Sequence, residues 1–587
     1  MKQILELIEK EVKQAFREAG YDEKYGKVTL SNRPDLCEYQ CNGALAAAKE
    51  YRKAPIMIAK DCQAVLAENT MFSMADAAAP GFINLKLSDT YLAAYLNEMA
   101  ASEKFGLEEA KKPETIIVDY GGANVAKPLH VGHLRPAIIG ESIKRIGKYM
   151  GHHMLGDVHL GDWGLQIGLI ITEVQHRWPD LPYFDENYEG EYPKEPPFSL
   201  EELSEIYPAA SARSKEDAAY REAALLATRE LQQGRRGYRA LWQHILNVSI
   251  PNIKKNYDDL NVFFELWKKE SDVDPYIPQM VEDMKAKGIA YLDDGALIVD
   301  VKEETDAKEV PPCIILKSDG SALYATTDIA TILEREKLYQ PDRIIYVVDK
   351  RQEMHFTQVF RCVKKAGIVE ESVKLQFVGF GTMNGKDGKP FKTRDGGVMH
   401  LEQMVSDINE EMYRKIVENH SVDEAEARKT AKIVGLSALK YGDLSNQASK
   451  DYVFDMERFT SFEGNTGPYI LYTIVRIKSI LNKYAKLECG GEEKLMAAQS
   501  ESEKALMLLL TQFAPVVENA CEENAPHKIC SFIYEVSNAF NRFYHETKIM
   551  GEEDKKKQAS WIALLRLTKD MLETCIGLLG FEAPEKM

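Results

Sequence analysis

The sequence predicts a multidomain protein, with an α/β part built on a doubly wound parallel sheet and an all-α part after it. Three observations lead to this fold class. The chain has 587 residues, which is more than one hydrophobic core usually holds. Its middle alternates short β-branched runs with helical segments, as parallel sheets do. Its last part has helical periodicity without strand signals.

The first region, residues 1–108, is expected to form a small α/β domain. The apolar positions of its opening helix recur on one helical face: Leu5, Ile8, Val12 and Phe16. Residues 28–30 and 83–87 have strand character and enclose an alanine-rich helical stretch. A charged linker then leads to the next region.

The second region, residues 109–404, is expected to be a Rossmann-type domain. Residues 115–120 form a β-branched run typical of a buried parallel strand, and 343–348 and 375–380 are further strand candidates. Residues of about 175–295 begin rich in proline and turn helical. We interpret that stretch as an insertion between the two halves of one nucleotide-binding fold.

The third region, residues 405–587, is predicted to be all-α, and no internal repeat is visible.

The composition of the chain argues against a membrane protein, a secreted protein and a metal-binding protein. No stretch is apolar enough to cross a bilayer, and the N-terminus is not a signal peptide. The nine scattered cysteines form no Cys-x-x-Cys pair, which predicts reduced thiols, no metal site and a cytoplasmic protein. The net charge of −18 lowers the odds of a nucleic-acid partner without excluding a local basic face.

The most informative segment lies between a predicted buried strand and a predicted helix, and reads GGANVAKPLHVGHLR over residues 121–135. The N-terminus of that helix offers free N–H groups and a positive dipole end to a phosphate. His130 and His133 are suited to donate hydrogen bonds to an α-phosphate that gains charge. Gly132 leaves room for a nucleotide. The alternative is a pair of ordinary helix-start histidines, which this context disfavours.

This segment resembles the His-Ile-Gly-His signature of class I aminoacyl-tRNA synthetases, in the form found in arginyl-tRNA synthetases. Four later segments resemble signatures of the same family, in the same order: residues 161–168, 324–328, 352–358 and 462–466. The resemblance implies a ligase that uses ATP and Mg²⁺ to activate L-arginine and then charges tRNA(Arg). It also implies an anticodon-binding role for the helical region and arginine activation that needs bound tRNA.

Arginine recognition needs carboxylates, because the guanidinium is a planar, permanent cation with five donors. The resemblance implies that Asp119, Tyr324 and Asp328 contact the substrate side chain. It also implies that Asn124 and Gln352 hold the amino-acid head group. On spacing alone, a Tyr-x-x-x-Asp pair on a helix face is equally consistent with no ligand.

The second ATP signature of class I enzymes, Lys-Met-Ser-Lys-Ser, is absent. A glycine-rich basic loop, residues 385–397, stands in its place. We expect Lys389, Lys392 and Arg394 to meet the triphosphate, with Lys127 sharing the charge of the leaving pyrophosphate. A solvated turn and a solvated lysine are the alternatives.

Two surfaces are candidates for tRNA contact. The segment around Tyr39 and Gln40 resembles the part of the family that touches the outer corner of tRNA. In the helical region, Tyr469, Tyr472 and Arg476 recur at i, i+3 and i+7, so they share one helical face that suits stacking on unpaired bases. The alternative for the tyrosines is a core stripe.

Two rival functions stay open on the sequence. One is a class I synthetase for another amino acid such as cysteine, which the lack of a zinc-ligand set disfavours. The other is a catalytically silent tRNA-binding paralogue, which the altered basic loop leaves possible and the intact histidine segment disfavours. We expect a monomer.

Overall fold

A computed structural model of the chain describes residues 1–391, 399–419, 423–487 and 493–587. The N-terminal elements are helices α1 (Ile4–Glu18), α2 (Gly43–Tyr51), α3 (Pro55–Leu66) and α4 (Asp89–Ala101), and strands β1 (Val28–Leu30), β2 (Tyr39–Cys41), β3 (Phe72–Ala78) and β4 (Phe82–Leu87). The strands form an antiparallel sheet in the order β1-β2-β4-β3. The predicted small α/β domain is therefore confirmed.

The next part of the chain starts the central sheet and contains most of the helical insertion. Its elements are β5 (Thr115–Asp119), α5 (Leu134–Tyr149), β6 (His153–Leu160), α6 (Leu165–Arg177), α7 (Leu200–Glu216), α8 (Ala218–Gln232), α9 (Arg236–Asp259), β7 (Leu266–Lys269), α10 (Glu270–Val273) and α11 (Ile277–Ala286). β7 falls within the range assigned to the insertion and pairs with β6, so the inserted chain also supplies an edge strand.

A small antiparallel sheet precedes the second half of the central sheet. The elements are β8 (Ala290–Asp293), β9 (Ala296–Val299), β10 (Cys313–Leu316), α12 (Tyr324–Tyr339), β11 (Arg343–Asp349), α13 (Glu353–Lys365), β12 (Lys374–Phe380) and β13 (Met383–Asn384). The order β10-β9-β8 makes the small sheet. Its three strands were not predicted from the sequence.

The central sheet is parallel, with the strand order β12-β11-β5-β6-β7. The order reverses between β5 and β11, as in doubly wound nucleotide-binding folds. The predicted fold class is confirmed, and the three predicted strands of this sheet are present within one residue of their expected bounds.

The described residues of the C-terminal part form helices and one two-residue strand. This part contains α14 (Leu401–Asn419), α15 (Glu424–Leu444), β14 (Tyr452–Val453), α16 (Met456–Phe459), α17 (Gly467–Ala485), α18 (Glu501–Leu510), α19 (Phe513–Glu522), α20 (His527–Glu546) and α21 (Lys555–Leu578). β14 pairs with β13, which links this part to the end of the central sheet. Of the helices in the described ranges, none has the length and apolar character to span a membrane.

The N-terminal and C-terminal parts pack directly against each other. Lys504 on α18 forms ion pairs with Glu38 and Asp89 at 2.9 and 3.0 Å. The rings of Phe105 and Phe513 meet edge to face, with centroids 5.0 Å apart. One hydrophobic core runs through both parts and the central domain.

Candidate active site

A cavity of about 910 Å³ opens at the carboxyl ends of β5 and β11, where the strand order reverses. Ligands of open α/β sheets bind at this edge. Eight of the residues singled out in the sequence line the cavity: Asp119, Asn124, His130, Gly132, His133, Tyr324, Asp328 and Gln352. The fold therefore brings the predicted ATP and arginine ligands to one place.

The loop between β5 and α5 is fixed against the end of β6. The backbone of Gly161 exchanges hydrogen bonds with Ala123 and Val125 at 2.9 and 3.0 Å. A Cβ added to Gly161 would lie 2.1 Å from Oδ1 of Asn124, so only glycine leaves room for that amide. Ala126 has a φ of 62°, a left-handed conformation that a residue with a side chain rarely adopts outside functional loops.

The hydrogen bonds of the two signature histidines fix their tautomers. Nδ1 of His130 accepts the backbone N–H of Gly132 at 3.0 Å, and Nδ1 of His133 accepts the N–H of His130 at 3.1 Å. A neutral imidazole whose Nδ1 accepts has its proton on Nε2. Burial lowers the pKa of His133 to about 3, and burial followed by the nearby His400 lowers the pKa of His130. Both rings are therefore neutral donors through Nε2–H at physiological pH.

Gly132 has a steric role that the sequence did not indicate. A Cβ at this position would lie 2.7 Å from Cε1 of the His130 ring. The glycine is thus required by the histidine that folds back over it, in addition to any approach by a nucleotide.

Asp119 already has a protein partner. Nη2 of Arg335 lies 2.5 Å from Oδ2 of Asp119 and 2.7 Å from Oδ2 of Asp157. Nη1 of Arg335 donates to the hydroxyl of Tyr346 at 2.9 Å. The arginine is buried, and burial also raises the pKa of Asp157. This buried network orients Asp119 and offsets part of its charge.

Asp328 lies on α12 and faces α13. Its Oδ2 is 2.6 Å from Nε2 of His355, and burial raises the pKa of the carboxyl. Tyr324, one helical turn earlier, is 80% exposed and stands at the rim of the cavity. Gln352 lies on the short turn before α13, on the same lining.

Glu270 is a cavity residue that the sequence analysis missed. It is the first residue of α10, and backbone N–H groups of Trp163 and Asp162 donate to its carboxylate. Burial, followed by the charge of Asp162, raises its pKa to about 7. No local motif marks this glutamate. Only the pairing of β7 with β6 brings it to the cavity.

The structure places Lys127 outside the main cavity. Its Nζ lies 4.4 Å from the centre of the Tyr207 ring, a cation–π contact. The lysine lines a separate cleft between the insertion helices and His400. In this arrangement its ammonium does not face the cavity where the histidines stand.

The basic loop begins as a tight hairpin. Phe391 N–H donates to Met383 O at 3.1 Å, and Gly385 N–H donates to Lys389 O at 2.7 Å. Pro390 and Phe391 line the cavity, whereas Lys389 is exposed on the hairpin. Lys392 and Arg394, the other two predicted cations of the loop, lie outside the described residues.

Both ends of this loop are tied to the site. Beyond it, Val131 N–H donates to Met399 O at 3.0 Å, and Leu401 N–H donates to Leu129 O at 2.9 Å. His400 therefore pairs with His130 across a short antiparallel bridge. The described residues on the two sides of the loop therefore both lie at the cavity: Pro390 and Phe391 line it, and residues 399–401 pair with residues 129–131 beside the signature histidines.

The N-terminal candidate surface is smaller than expected. Tyr39 is only 1% exposed, and its hydroxyl is hydrogen-bonded to Thr511 of the helical part. Its side chain packs between two parts of the protein and is not available to an RNA. Gln40, on the opposite face of β2, is half-buried and donates to Asn84 at 2.9 Å.

The C-terminal candidate face lies on the protein surface. Tyr472 is 40% exposed, and the guanidinium of Arg476 lies 4.7 Å from its ring centre and 5.0 Å from that of Tyr544. Tyr469 donates to Asn538 at 2.7 Å. The core-stripe alternative fails for Tyr472, since its ring and the guanidinium together present an open stacking face.

Sequence models of three families match consecutive parts of the chain. "Arginyl tRNA synthetase N terminal domain" matches residues 2–87, "tRNA synthetases class I (R), catalytic domain" matches 96–456, and "DALR anticodon binding domain" matches 470–587. Together they account for the three parts seen in the structure.

Curated relatives match over the full length. An arginine–tRNA ligase of Agathobacter rectalis is 62% identical, and one of Alkaliphilus oremlandii is 58% identical, with both chains covered completely in each case. Among solved structures, arginyl-tRNA synthetase of Plasmodium falciparum gives a TM-score of 0.81 at 24% identity, again over 100% of both chains. That likeness supports the fold, and the two relatives support the family.

Proposed function

Because the chain belongs to the arginyl-tRNA synthetase family, we propose that its cavity of about 910 Å³ is the site of arginine activation. The chain is an ATP-dependent ligase that converts L-arginine to arginyl-adenylate with release of pyrophosphate. It then transfers the arginyl group to the 3′ end of tRNA(Arg) and releases AMP. The observation that carries the site assignment is the convergence of two neutral histidine donors and several carboxylates on one cavity.

The histidine end of the cavity suits the α-phosphate of ATP. When the arginine carboxylate attacks, negative charge grows on the non-bridging oxygens of that phosphate. The Nε2–H groups of His130 and His133 are pre-oriented by their Nδ1 bonds, so donating to those oxygens needs no reorganisation. Catalysis on this account is positioning and electrostatic stabilisation.

The carboxylate end of the cavity suits the guanidinium. Asp328 and Glu270 face the cavity, and Arg335 binds only one oxygen of Asp119, which leaves the other for the substrate. Tyr324 at the rim offers a flat ring and a phenol. On this assignment a buried cation finds the countercharge that its desolvation demands.

The head group of arginine falls to two amides. Asn124 and Gln352 line the same cavity as the carboxylates and the two histidines. An amide offers both a donor and an acceptor, so the pair suits the α-ammonium and α-carboxylate. This arrangement aims the attacking carboxylate at the α-phosphate.

The pyrophosphate end of the reaction is assigned to cations of the loop. Lys389, Lys392 and Arg394 remain our candidates. The backbone pairing of residues 399–401 with residues 129–131 supports this proposal. Lys127 joins them only if it leaves the Tyr207 ring, so we give it the smaller share.

Mg²⁺ is expected to arrive with the nucleotide. Across the described part of the chain, no cluster of three or more His, Cys, Asp or Glu side chains is arranged to hold a metal ion. Mg²⁺ commonly keeps several waters and binds through substrate phosphates. Mg²⁺ bound to ATP would be coordinated mainly by phosphate oxygens and water, while residues of the chain bind the triphosphate.

The tRNA is assigned to surfaces at both ends of the chain. We propose that Tyr469, Tyr472 and Arg476 stack on unpaired anticodon bases, with Gln40 on the N-terminal sheet as a second contact. We further propose a cytoplasmic monomer, divided at residues 108/109 and 404/405.

Arginine-dependent exchange of labelled pyrophosphate into ATP tests this assignment. With tRNA(Arg) present, the parent should exchange with arginine and not with cysteine or lysine. Asn124→Ala should lower arginine kcat/KM roughly 10- to 150-fold, as expected for the loss of a charge-assisted hydrogen bond. Normal exchange by Asn124→Ala would show that this cavity is not the site of arginine activation.

A further inference from the structure

Arg135 is an arginine that the fold buries almost completely. It follows the signature histidines on α5 and is only 2% exposed. Its Nε lies 2.9 Å from Oδ2 of Asp443, and its Nη1 donates to Gly381 O at 2.7 Å and Lys450 O at 3.0 Å. Burying a guanidinium is costly unless its partners are well placed, so these contacts need an explanation.

The partners of Arg135 come from two different parts of the protein. Gly381 follows β12 and leads into the hairpin that contributes Pro390 and Phe391 to the cavity. Asp443 lies on α15, and Lys450 lies between α15 and β14. The side chain of Arg135 therefore connects α5, the segment that leads into the basic loop, and the C-terminal helical part.

The start of the loop fits tightly against the helical part at this point. A Cβ on Gly381 would lie 2.5 Å from both Asp451 Oδ1 and Lys450 O. Gly381 N–H donates to Ala448 O at 2.9 Å, and Thr382 N–H donates to Asp451 Oδ1 at 2.8 Å. The pairing of β13 with β14 continues this contact.

Asp443 is itself firmly held. The hydroxyl of Tyr452 donates to its Oδ2 at 2.7 Å, and the Arg135 guanidinium lies 5.0 Å from the centre of the Tyr452 ring. α15 is locked against α17, since a Cβ on Gly467 would lie 2.2 Å from Ser437 O. The carboxylate therefore gives Arg135 a rigid anchor.

A buried ion pair of this kind is weak evidence for added stability, because its desolvation cost can exceed its Coulombic gain. Nη2 of Arg135 and Oδ1 of Asp443 have no hydrogen-bond partner among the described residues, so the pair is not optimised for stability. Its place is informative: it joins α5, which follows the two signature histidines, to Gly381, which leads into the basic loop.

We propose that Arg135 and Asp443 are positioning residues for adenylate formation. Together they hold the described segment from Gly381 to Phe391 at a fixed distance from His130 and His133, so that this segment and the two histidines border one ATP. Arg135 borders the cavity, but its guanidinium is bonded to Asp443, Gly381 and Lys450, so the role assigned to the pair is positioning and not contact with the substrate. This inference rests on the proposed function, because it presupposes that ATP reacts in this cavity.

The test compares Arg135→Lys and Asp443→Asn with the parent under single-turnover conditions. Lysine keeps the charge and cannot reproduce the fork to three acceptors, while asparagine keeps the shape. We expect each variant to slow adenylate formation roughly 10- to 100-fold and to raise the ATP KM. The KM for arginine should stay within about twofold, since the carboxylate end does not contact the pair.

Arg145→Lys is the matched control. Arg145 also lies on α5 and also donates to a carbonyl of the C-terminal part, that of Gly577 at 3.1 Å. It lies ten residues after Arg135, about 15 Å further along the helix. This variant should change thermal stability without changing the rate of adenylate formation or the KM for ATP. If it reproduces the Arg135→Lys kinetics, or if ATP and arginine KM rise together with the loss of stability, the role is structural and the proposal is wrong.

Asp451→Ala protects the test against a variant that does not fold. Asp451 is half-exposed, and its Oδ1 accepts from Thr382 N and from Lys350 Nζ, both at 2.8 Å. Its loss should loosen the same start of the loop and give a smaller effect of the same kind. Parent-like adenylate formation in Arg135→Lys, Asp443→Asn and Asp451→Ala would overturn the inference. A parent protein that is inactive with arginine would overturn the proposed function instead.

Discussion

At the scale of single residues, the hydrogen bonds to Nδ1 of His130 and His133 determine which ring nitrogen is left to donate to a ligand. A donor to a phosphate must have its proton on the outward nitrogen, and the Nδ1 contacts of His130 and His133 ensure this. His133→Ala should therefore slow adenylate formation by on the order of 100-fold, the usual cost of losing one preorganised donor. Single-turnover rates measure it, and a change in arginine KM alone would contradict the role.

The raised pKa of Glu270 predicts a pH dependence of arginine binding. With a pKa of about 7 in the free protein, the carboxyl is neutral below that pH and ionised above it. A guanidinium binds the ionised form, so the arginine KM should rise as pH falls from 8 to 6. Binding should also release a proton.

Glu270→Gln is the matched variant for this pH profile, since it keeps shape and removes charge. It should raise the arginine KM at pH 8 and flatten the dependence on pH. A variant whose arginine KM still follows the parent's pH profile would show that another group, such as Asp162, is responsible.

The residue scale also shows the reach of sequence reasoning. Asn124 and the two histidines could be found because one short segment contains them. Glu270 could not, because only the pairing of β7 with β6 brings it to the cavity. Arg335 could not, because it meets Asp119 and Asp157 in a buried network of residues distant in the sequence. The burial of Tyr39 and the contact of Lys127 with the Tyr207 ring could not be predicted, because a motif does not specify what packs against a side chain.

At the scale of elements, α17 and α20 form the candidate anticodon face. Arg476 stands over two tyrosine rings and donates to Asn541, so its plane is already oriented for a base. Arg476→Ala should raise the KM for tRNA about 10-fold or more, as loss of base stacking does. Adenylate formation at saturating tRNA should stay at the parental rate.

Lys556→Ala is a control for that face. It lies in the charged start of α21, and its side chain is exposed to solvent. It should change tRNA KM little beyond the general effect of one charge at low salt. If Arg476→Ala and Lys556→Ala weaken tRNA equally, the face is not a specific contact.

Strand prediction succeeded where the runs are β-branched and failed elsewhere. β5 and β11 are mostly buried and rich in Ile and Val, and the half-buried edge strand β12 contains two phenylalanines and a valine. β6 reads HMLGDVHL and β7 reads LWKK, so neither has an alternating or continuously apolar pattern. Their place in the sheet is set by neighbours distant in the sequence.

At the scale of the whole molecule, an acidic protein of net charge −18 serves a polyanionic partner. The N-terminal and helical parts contact each other directly through Lys504, Glu38 and Asp89, so both candidate tRNA surfaces belong to one packed body. Net charge alone would have disfavoured this function, and the family matches correct that impression.

The most direct test of the account is discrimination between arginine and citrulline, its neutral counterpart. The parent should prefer arginine in adenylate formation by a factor on the order of 10⁴, because the cavity presents carboxylates to a cation. Asp328→Asn should lower kcat/KM for arginine roughly 10- to 150-fold and leave that for citrulline unchanged. If Asp328→Asn lowers both substrates equally, or neither, the carboxylate end of this cavity does not recognise the guanidinium.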